Sequence, residues 1–163
     1  MEYLVISFTH KNTDISTREK IAFNNDLEKD TFLKKILSSE IINEAILLST
    51  CNRIELLIST PNSKEAGKIA ISNFANHSSL DSTELFHRAD IYDNESAIHH
   101  IFTVASSLDS LVVGETQIAG QLKEAFKFSL DKGFAEQKLS RVIHFAFKCA
   151  AKVRNVTQLG TGS

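Results

Sequence analysis

The feature that most constrains the fold is a pair of β-rich runs joined by only four residues. Ala45–Ser49 and Ile54–Ser59 flank the polar segment 50–53, which reads TCNR. Apolar runs of this length, separated by a short polar connection, are typical of a β-hairpin. A further run, Tyr3–Phe8 (YLVISF), predicts a strand at the start of the chain. The chain is therefore expected to fold around a sheet.

Helical patterns alternate with these strands. Asp26–Leu37 repeats apolar residues at helical spacing behind a capping Asn or Asp, and Lys64–Asn76 does so after a Pro-Asn-Ser stop. Leu85–Tyr92 is expected to supply a fourth strand. The order β-α-β-β-α-β predicts an α+β fold, a ferredoxin-like split βαβ sheet with helices on one face. From Asn94 three more helical patterns predict a C-terminal bundle beside the sheet, with Gly133 capping the second of them.

Composition favours one folded domain. The 163 residues, 42% apolar and 23% charged, are enough to bury a core, and we expect a domain at 1–155 with 156–163 starting a connection to further domains. No apolar run approaches the roughly 20 residues that cross a bilayer, and the start does not resemble a signal peptide, so we expect a cytoplasmic protein without a membrane segment. From Gln117 onward eight Lys and Arg face three Asp and Glu, so the last third is basic.

The two cysteines differ in their surroundings. Cys149 lies among apolar residues of a helical pattern, where a thiol packs as a small apolar group. Cys51 lies in the tight connection between two strands, beside Thr50, Asn52 and Arg53. It could be a half-buried apolar residue of the turn, or a nucleophile whose thiolate a nearby cation stabilises, for which Arg53 is the local candidate. The convergent polar neighbours favour the nucleophile.

A second polar cluster interrupts the helical segment His99–Gln121. Gly114 and Gly120 each cost a helix about 1 kcal/mol relative to alanine, so they predict a turn or a close backbone approach. A histidine beside a core helix is often only structural, and the adjacent pair His99 and His100 lacks the spacing of metal ligands, so we predict no metal. The cluster at this break that is placed to hold a small polar ligand is Asp109, Ser110, Gly114, Glu115, Gln117 and Gln121.

Both segments resemble signatures of the glutamyl-tRNA reductase family. Ser49–Glu55 is similar to its S-T-C-N-R-x-E box, and His100–Gln121 to its H-L-F-R-V-A-S-G-L-D-S-L-V-x-G-E-x-Q-I-x-G-Q box. Residues 9–19 and 152–160 add weaker support, so that the resemblance covers almost the whole chain. The chain departs from the family pattern at Asp14 in the first loop, at Thr103, where an arginine would contact phosphate, and at Ser107.

The resemblance implies a two-step reaction. The cysteine matching Cys51 would attack the ester of glutamyl-tRNA and form a thioester, which NADPH would reduce to glutamate-1-semialdehyde, the precursor of 5-aminolevulinate and tetrapyrroles. The family's NADPH-binding and dimerisation domains do not match any part of this chain, which has no G-x-G-x-x-G fingerprint. The implied partners are the tRNA, a second subunit bound through an absent domain, and glutamate-1-semialdehyde aminotransferase.

The resemblance also assigns roles to individual residues. His100 would polarise the reacting carbonyl or assist proton transfer to the leaving ribose oxygen. Arg53 would bind the carboxylate of the substrate's glutamate, and Glu115 its ammonium group. The full set of expected substrate contacts is Thr50, Asn52, Arg53, Ser110, Glu115, Thr116, Gln117 and Gln121.

Three other function classes stay open at this point. A non-catalytic RNA-binding module would use the same ferredoxin-like sheet, although Tyr3–Phe8 lacks the stacking aromatics of such sheets. A cysteine hydrolase would act on simple esters without tRNA, and a structural adaptor would carry an ordinary thiol at Cys51. In the reductase and RNA-binding readings alike, the basic last third is a candidate surface for tRNA phosphates.

Overall fold

A computed structural model describes residues 1–106 and 118–161, with side chains described for 1–106 and 118–153. The four strands in these ranges form one sheet of order β2-β3-β1-β4, in which all neighbours are antiparallel. This order confirms the predicted ferredoxin-like α+β fold with added C-terminal helices. In chain order the elements are β1 (Glu2–Thr9), α1 (Ile15–Ile21), α2 (Asp26–Leu37), β2 (Glu44–Ser49), β3 (Arg53–Thr60), α3 (Ser63–Ser78), α4 (Ser82–Arg88), β4 (Asp90–Asp93), α5 (Asn94–Ala105), α6 (Ile118–Asp131) and α7 (Gln137–Thr161).

The sheet is covered on both faces. Alternate side chains of a strand point to opposite faces, so Leu4 and Ile6 of β1 enter a core with α1–α4, whereas Val5 enters a second core with α5–α7. The sequence placed the C-terminal bundle beside the sheet, and the structure packs it onto the second face. Burial on both faces explains why Tyr3–Phe8 reads as a nearly continuous apolar run.

Two short helices were not anticipated from the sequence. In α1, the Asp14 side chain caps the helix by accepting a hydrogen bond from the backbone N of Thr17 (2.8 Å). In α4, Asp81 does the same for Glu84 (3.0 Å), so the first part of the strand expected at Leu85–Tyr92 is helical and β4 is shorter and later. The prediction of a strand over the whole of that segment was wrong.

The predicted hairpin is confirmed by the pairing of β2 with β3, whose last pair is Ser49 with Ile54. The start of β3 also lies against the end of β1, where Thr9 is opposite Arg53. The β2–β3 turn therefore lies at the same end of the sheet as the β1–α1 loop. At the other end of the chain, α7 extends to Thr161, so 156–161 are helical, and the expected domain division stays a prediction.

Candidate active site

Cys51 lies in a tight turn that Thr50 holds together. The Thr50 backbone N donates to the carbonyl oxygen of Arg53 (2.8 Å). The Thr50 hydroxyl oxygen accepts from the backbone N of Asn52 (3.2 Å) and of Arg53 (3.1 Å). Such side-chain hydrogen bonds to a turn fix its backbone without help from neighbouring elements. The Cys51 thiol is exposed, so this turn presents it to solvent.

A cavity of about 240 Å³ adjoins the Cys51 turn. Helix α1 supplies one side of it, and the turn supplies the other. No role for Arg18 was evident from the sequence, although this arginine belongs to the weak N-terminal match at 9–19 and lines the same cavity as the thiol. The complete lining is Ile15, Arg18, Glu19, Ala22, Thr50, Cys51 and Asn52.

Arg53 is an interior residue. Only 1% of it is exposed, and its Nη1 lies 2.8 Å from Oε2 of Glu55, which is also 1% exposed. Residues 53 and 55 share a sheet face because side chains alternate along β3. The guanidinium therefore has a carboxylate partner within the protein. Its expected contact with the substrate's carboxylate stays a prediction.

His100 contacts the same carboxylate from helix α5. Its Nε2 forms a hydrogen bond with Oε1 of Glu55, and its ring stacks on Tyr92 with a centroid distance of 4.3 Å and an interplanar angle of 12°. The histidine is 8% exposed. Glu55 thus holds Arg53 through one oxygen and His100 through the other.

The charge state of Glu55 determines which partner carries the proton of its hydrogen bond with His100. Burial raises the pKa of this carboxyl group. The hydrogen bond from His100 and the charges of His100 and Arg53 have the larger opposite effect, so the pKa lies below its ordinary value of 4.5. An ionised carboxylate accepts hydrogen bonds and donates none, so the proton of the shared bond belongs to His100 Nε2. Nδ1 is the ring nitrogen that takes no part in the bond to Glu55.

The other predicted site residues fall into two groups. Gln121 is exposed on α6 and lines a separate cavity of about 270 Å³ together with Ser49, at the end of β2 that leads into the Cys51 turn. Ser110, Glu115, Thr116 and Gln117 lie outside the described residues. The described part of the chain therefore brings Cys51, Thr50 and Asn52 together with Arg18, and Arg53 with His100. His100 does not line the cavity at Cys51.

No cofactor site is evident in the described ranges. They contain no group of three or more His, Cys, Asp or Glu residues that could hold a metal ion. The sheet of these ranges is antiparallel, whereas the dinucleotide site of a doubly wound fold lies at the carboxyl ends of parallel strands. The described ranges therefore lack the doubly wound sheet of such a dinucleotide site. In the same ranges, no helix has the length and apolar character required to cross a bilayer.

Comparison with known proteins decides the family. Residues 6–157 match the model of the glutamyl-tRNA(Glu) reductase N-terminal domain. The chain belongs to the glutamyl-tRNA reductase family. It is 60% identical over 163 residues to the glutamyl-tRNA reductase of Aliarcobacter butzleri and 55% identical over 159 residues to that of Wolinella succinogenes. The resemblance stated from the two sequence boxes is thereby confirmed.

Structural comparison agrees with this family assignment. Glutamyl-tRNA reductase from Methanopyrus kandleri superposes with a TM-score of 0.73 at 26% sequence identity, over 99% of this chain and 36% of that one. The match to the Aliarcobacter protein spans 100% of this chain and 38% of that protein. The match to the Wolinella protein spans 98% of this chain and 36% of that protein. It corresponds to the N-terminal region of glutamyl-tRNA reductases.

Proposed function

We propose that this chain is the part of a glutamyl-tRNA reductase that takes the glutamyl group from the tRNA. The Cys51 thiolate attacks the carbonyl carbon of the ester, so that a C–S bond forms and the C–O bond to the terminal ribose breaks. The ribose oxygen leaves and takes up the proton that the thiol gave up. Support comes chiefly from the exposed thiol on a fixed turn, in a chain of this family.

The neighbouring residues have proposed roles in this step. Thr50 and Asn52 line the cavity next to the thiol and would contact the substrate's acyl end. His100 would pass a proton towards the ribose oxygen through Nδ1, because Glu55 occupies Nε2. Arg53 would bind the substrate's carboxylate with a guanidinium that Glu55 orients. For Ser110, Glu115, Thr116, Gln117 and Gln121 the proposal is contact with the glutamyl group, with Glu115 at its ammonium.

The proposal for the whole enzyme extends beyond these residues. NADPH would supply the hydride that converts the thioester to glutamate-1-semialdehyde for tetrapyrrole synthesis, and no residue described here is assigned to that step. We further propose a cytoplasmic homodimer, joined outside this chain, that passes its product to glutamate-1-semialdehyde aminotransferase. In this proposal, thioester formation requires neither the second subunit nor the aminotransferase.

A basic surface on α6 and α7 is the proposed contact for tRNA phosphates. Its exposed cations are Lys123, Lys127, Arg141, Lys148 and Lys152, and the proposal adds Arg154, whose side chain lies outside the described ones. Lys127 also pairs with Asp131 (2.7 Å). Phosphate contacts release counterions, so the affinity for tRNA should fall steeply as salt concentration rises. An affinity that is independent of salt would exclude this surface as the main contact.

Two matched variants test acyl transfer against the other function classes. Native chain and Cys149→Ser should retain labelled glutamate from glutamyl-tRNA, whereas Cys51→Ser should retain none, because only Cys51 carries the acyl group. A non-hydrolysable acyl-tRNA analogue should also protect Cys51 from alkylation, and uncharged tRNA should not. Equal labelling of all three proteins would exclude Cys51 as the nucleophile. Equal protection by both RNAs would favour an RNA-binding module.

A further inference from the structure

Arg18 is a buried cation beside the proposed nucleophile. It is 6% exposed, and it lines the cavity that the Cys51 turn closes on its other side. Helix α1 brings it there because the β1–α1 loop and the β2–β3 turn lie at the same end of the sheet, where Thr9 pairs with Arg53. The buried side chain and the exposed thiol therefore share one concave surface.

The β1–α1 loop fixes the direction of this guanidinium. Nη1 of Arg18 donates to the carbonyl oxygen of Thr13 (2.6 Å) and to its hydroxyl oxygen (3.3 Å). The Thr13 hydroxyl donates in turn to the carbonyl oxygen of Thr9 (2.6 Å), which anchors the loop to β1. A guanidinium held in this way loses little conformational freedom when a ligand binds.

The hydrogen bonds of Arg18 are incomplete. Its Nε is buried and has no acceptor among the described residues, and the carboxylate of those residues whose charge interacts with Arg18, that of Asp14, is exposed to solvent. Burial of a cation is costly unless a counter-charge compensates it. The other charged residue in the cavity lining, Glu19, is exposed to solvent. An anionic ligand in this cavity would supply the missing counter-charge.

We propose that Arg18 forms an oxyanion-binding subsite next to Cys51, where a carboxylate or a phosphate of the charged tRNA binds. The identity of this ligand rests on the proposed function, whereas the subsite itself rests on the cavity and the incomplete hydrogen bonds of Arg18. A planar guanidinium with free N–H groups suits both anions, since each presents two oxygens in one plane. Arg18 would thus position the substrate before Cys51 attacks.

Alkylation of Cys51 tests the subsite without any tRNA. Iodoacetate carries a carboxylate and iodoacetamide does not, so an oxyanion site beside the thiol should raise the ratio of their alkylation rates. In the native chain this ratio at Cys51 should exceed that of the urea-unfolded chain by about tenfold, the factor expected of one charge-assisted hydrogen bond. Peptide mapping separates Cys51 from Cys149, which serves as an internal control because it lies on α7.

Variants identify the cation responsible. Arg18→Gln should bring the ratio at Cys51 down to the unfolded value, Arg18→Lys should retain part of the increase, and Lys20→Gln, which removes an exposed charge from the same helix, should leave it unchanged. Should Arg18→Gln fail to fold, the alkylation ratios of the native chain and of Arg18→Lys still test the subsite. A native ratio equal to the unfolded one, or an undiminished ratio in folded Arg18→Gln, overturns the subsite.

Acylation by charged tRNA then distinguishes the two anions. A loss in Arg18→Gln that affects glutamyl-tRNA but spares glutaminyl-tRNA, whose side chain has no carboxylate, identifies the carboxylate and assigns it to Arg18 instead of Arg53. An equal loss with both tRNAs identifies the phosphate. Acylation at the native rate with both overturns a role for Arg18 in substrate binding. If native chain forms no adduct but the alkylation ratio is raised, the proposed function fails and the subsite stands.

Discussion

Replacement of Glu55 by glutamine tests whether its ionised carboxylate holds the site together. Glu55 accepts from Arg53 at 2.8 Å and from His100, and both Glu55 and Arg53 are 1% exposed. Breaking a buried ion pair by neutralising one partner typically costs about 3–5 kcal/mol, because the remaining charge stays out of water. We expect Glu55→Gln to lower the free energy of unfolding by that amount, a large part of the roughly 5–15 kcal/mol of a typical domain.

Urea denaturation followed by circular dichroism measures this loss. Glu84→Gln is the matched control, because it breaks an exposed pair with Arg88 (3.1 Å) that contributes at most about 1 kcal/mol. The double variant Arg53→Met, Glu55→Gln should be more stable than Glu55→Gln alone, since the guanidinium that lost its carboxylate partner is then removed as well. The reasoning is refuted if Glu55→Gln loses no more than the control, or if the double variant is the less stable of the two.

The same network and two other contacts give further expected outcomes. Glu44→Ala should lower the free energy of unfolding by about 2 kcal/mol, because the Glu44 carboxylate accepts from two backbone N–H groups at the start of α7. Urea denaturation measures this loss, with the exposed Glu40→Ala as the control. Equal losses in the two variants would contradict the expectation. Because the folded pKa of Glu55 is depressed, its stabilisation should be complete above pH 4.5 and lost as the pH falls through that folded pKa. The stability gap between native chain and Glu55→Gln should therefore narrow in acid, and a gap unchanged down to about pH 3 would speak against it. Gly133→Ala should lower the free energy of unfolding by about 1 kcal/mol, because Gly133 has a φ of +77°, which disfavours alanine. Thermal denaturation measures this loss, and an unchanged stability would contradict it by showing that the turn relaxes.

Much of the fold could be predicted because its signals are local. The apolar runs around the TCNR turn predicted the hairpin, and helix α2 has the bounds that its spacing and cap indicate. The seven-residue helices α1 and α4 have too few turns to show a periodic apolar face, so their capping residues Asp14 and Asp81 were the available signal. Which face the C-terminal helices cover depends on tertiary packing, which no local pattern reports.

The site was less predictable because its contacts join distant parts of the chain. The motif indicated Cys51, Arg53 and His100, but the carboxylate that links the last two, Glu55, was seen only as part of the motif. Its position two residues after Arg53 on a strand was a usable signal, since such residues share a face. Arg18 meets the Cys51 turn only through the pairing of β1 with β3, and that register cannot be read from either segment alone.

Mass spectrometry of the chain after brief exposure to glutamyl-tRNA most directly tests whether Cys51 receives the glutamyl group. The account predicts one glutamyl adduct that maps to the peptide containing Cys51, is released by hydroxylamine as a thioester would be, and is absent from Cys51→Ser. An adduct on Cys149 or on a lysine, or no adduct in a folded chain that binds the charged tRNA, would contradict it.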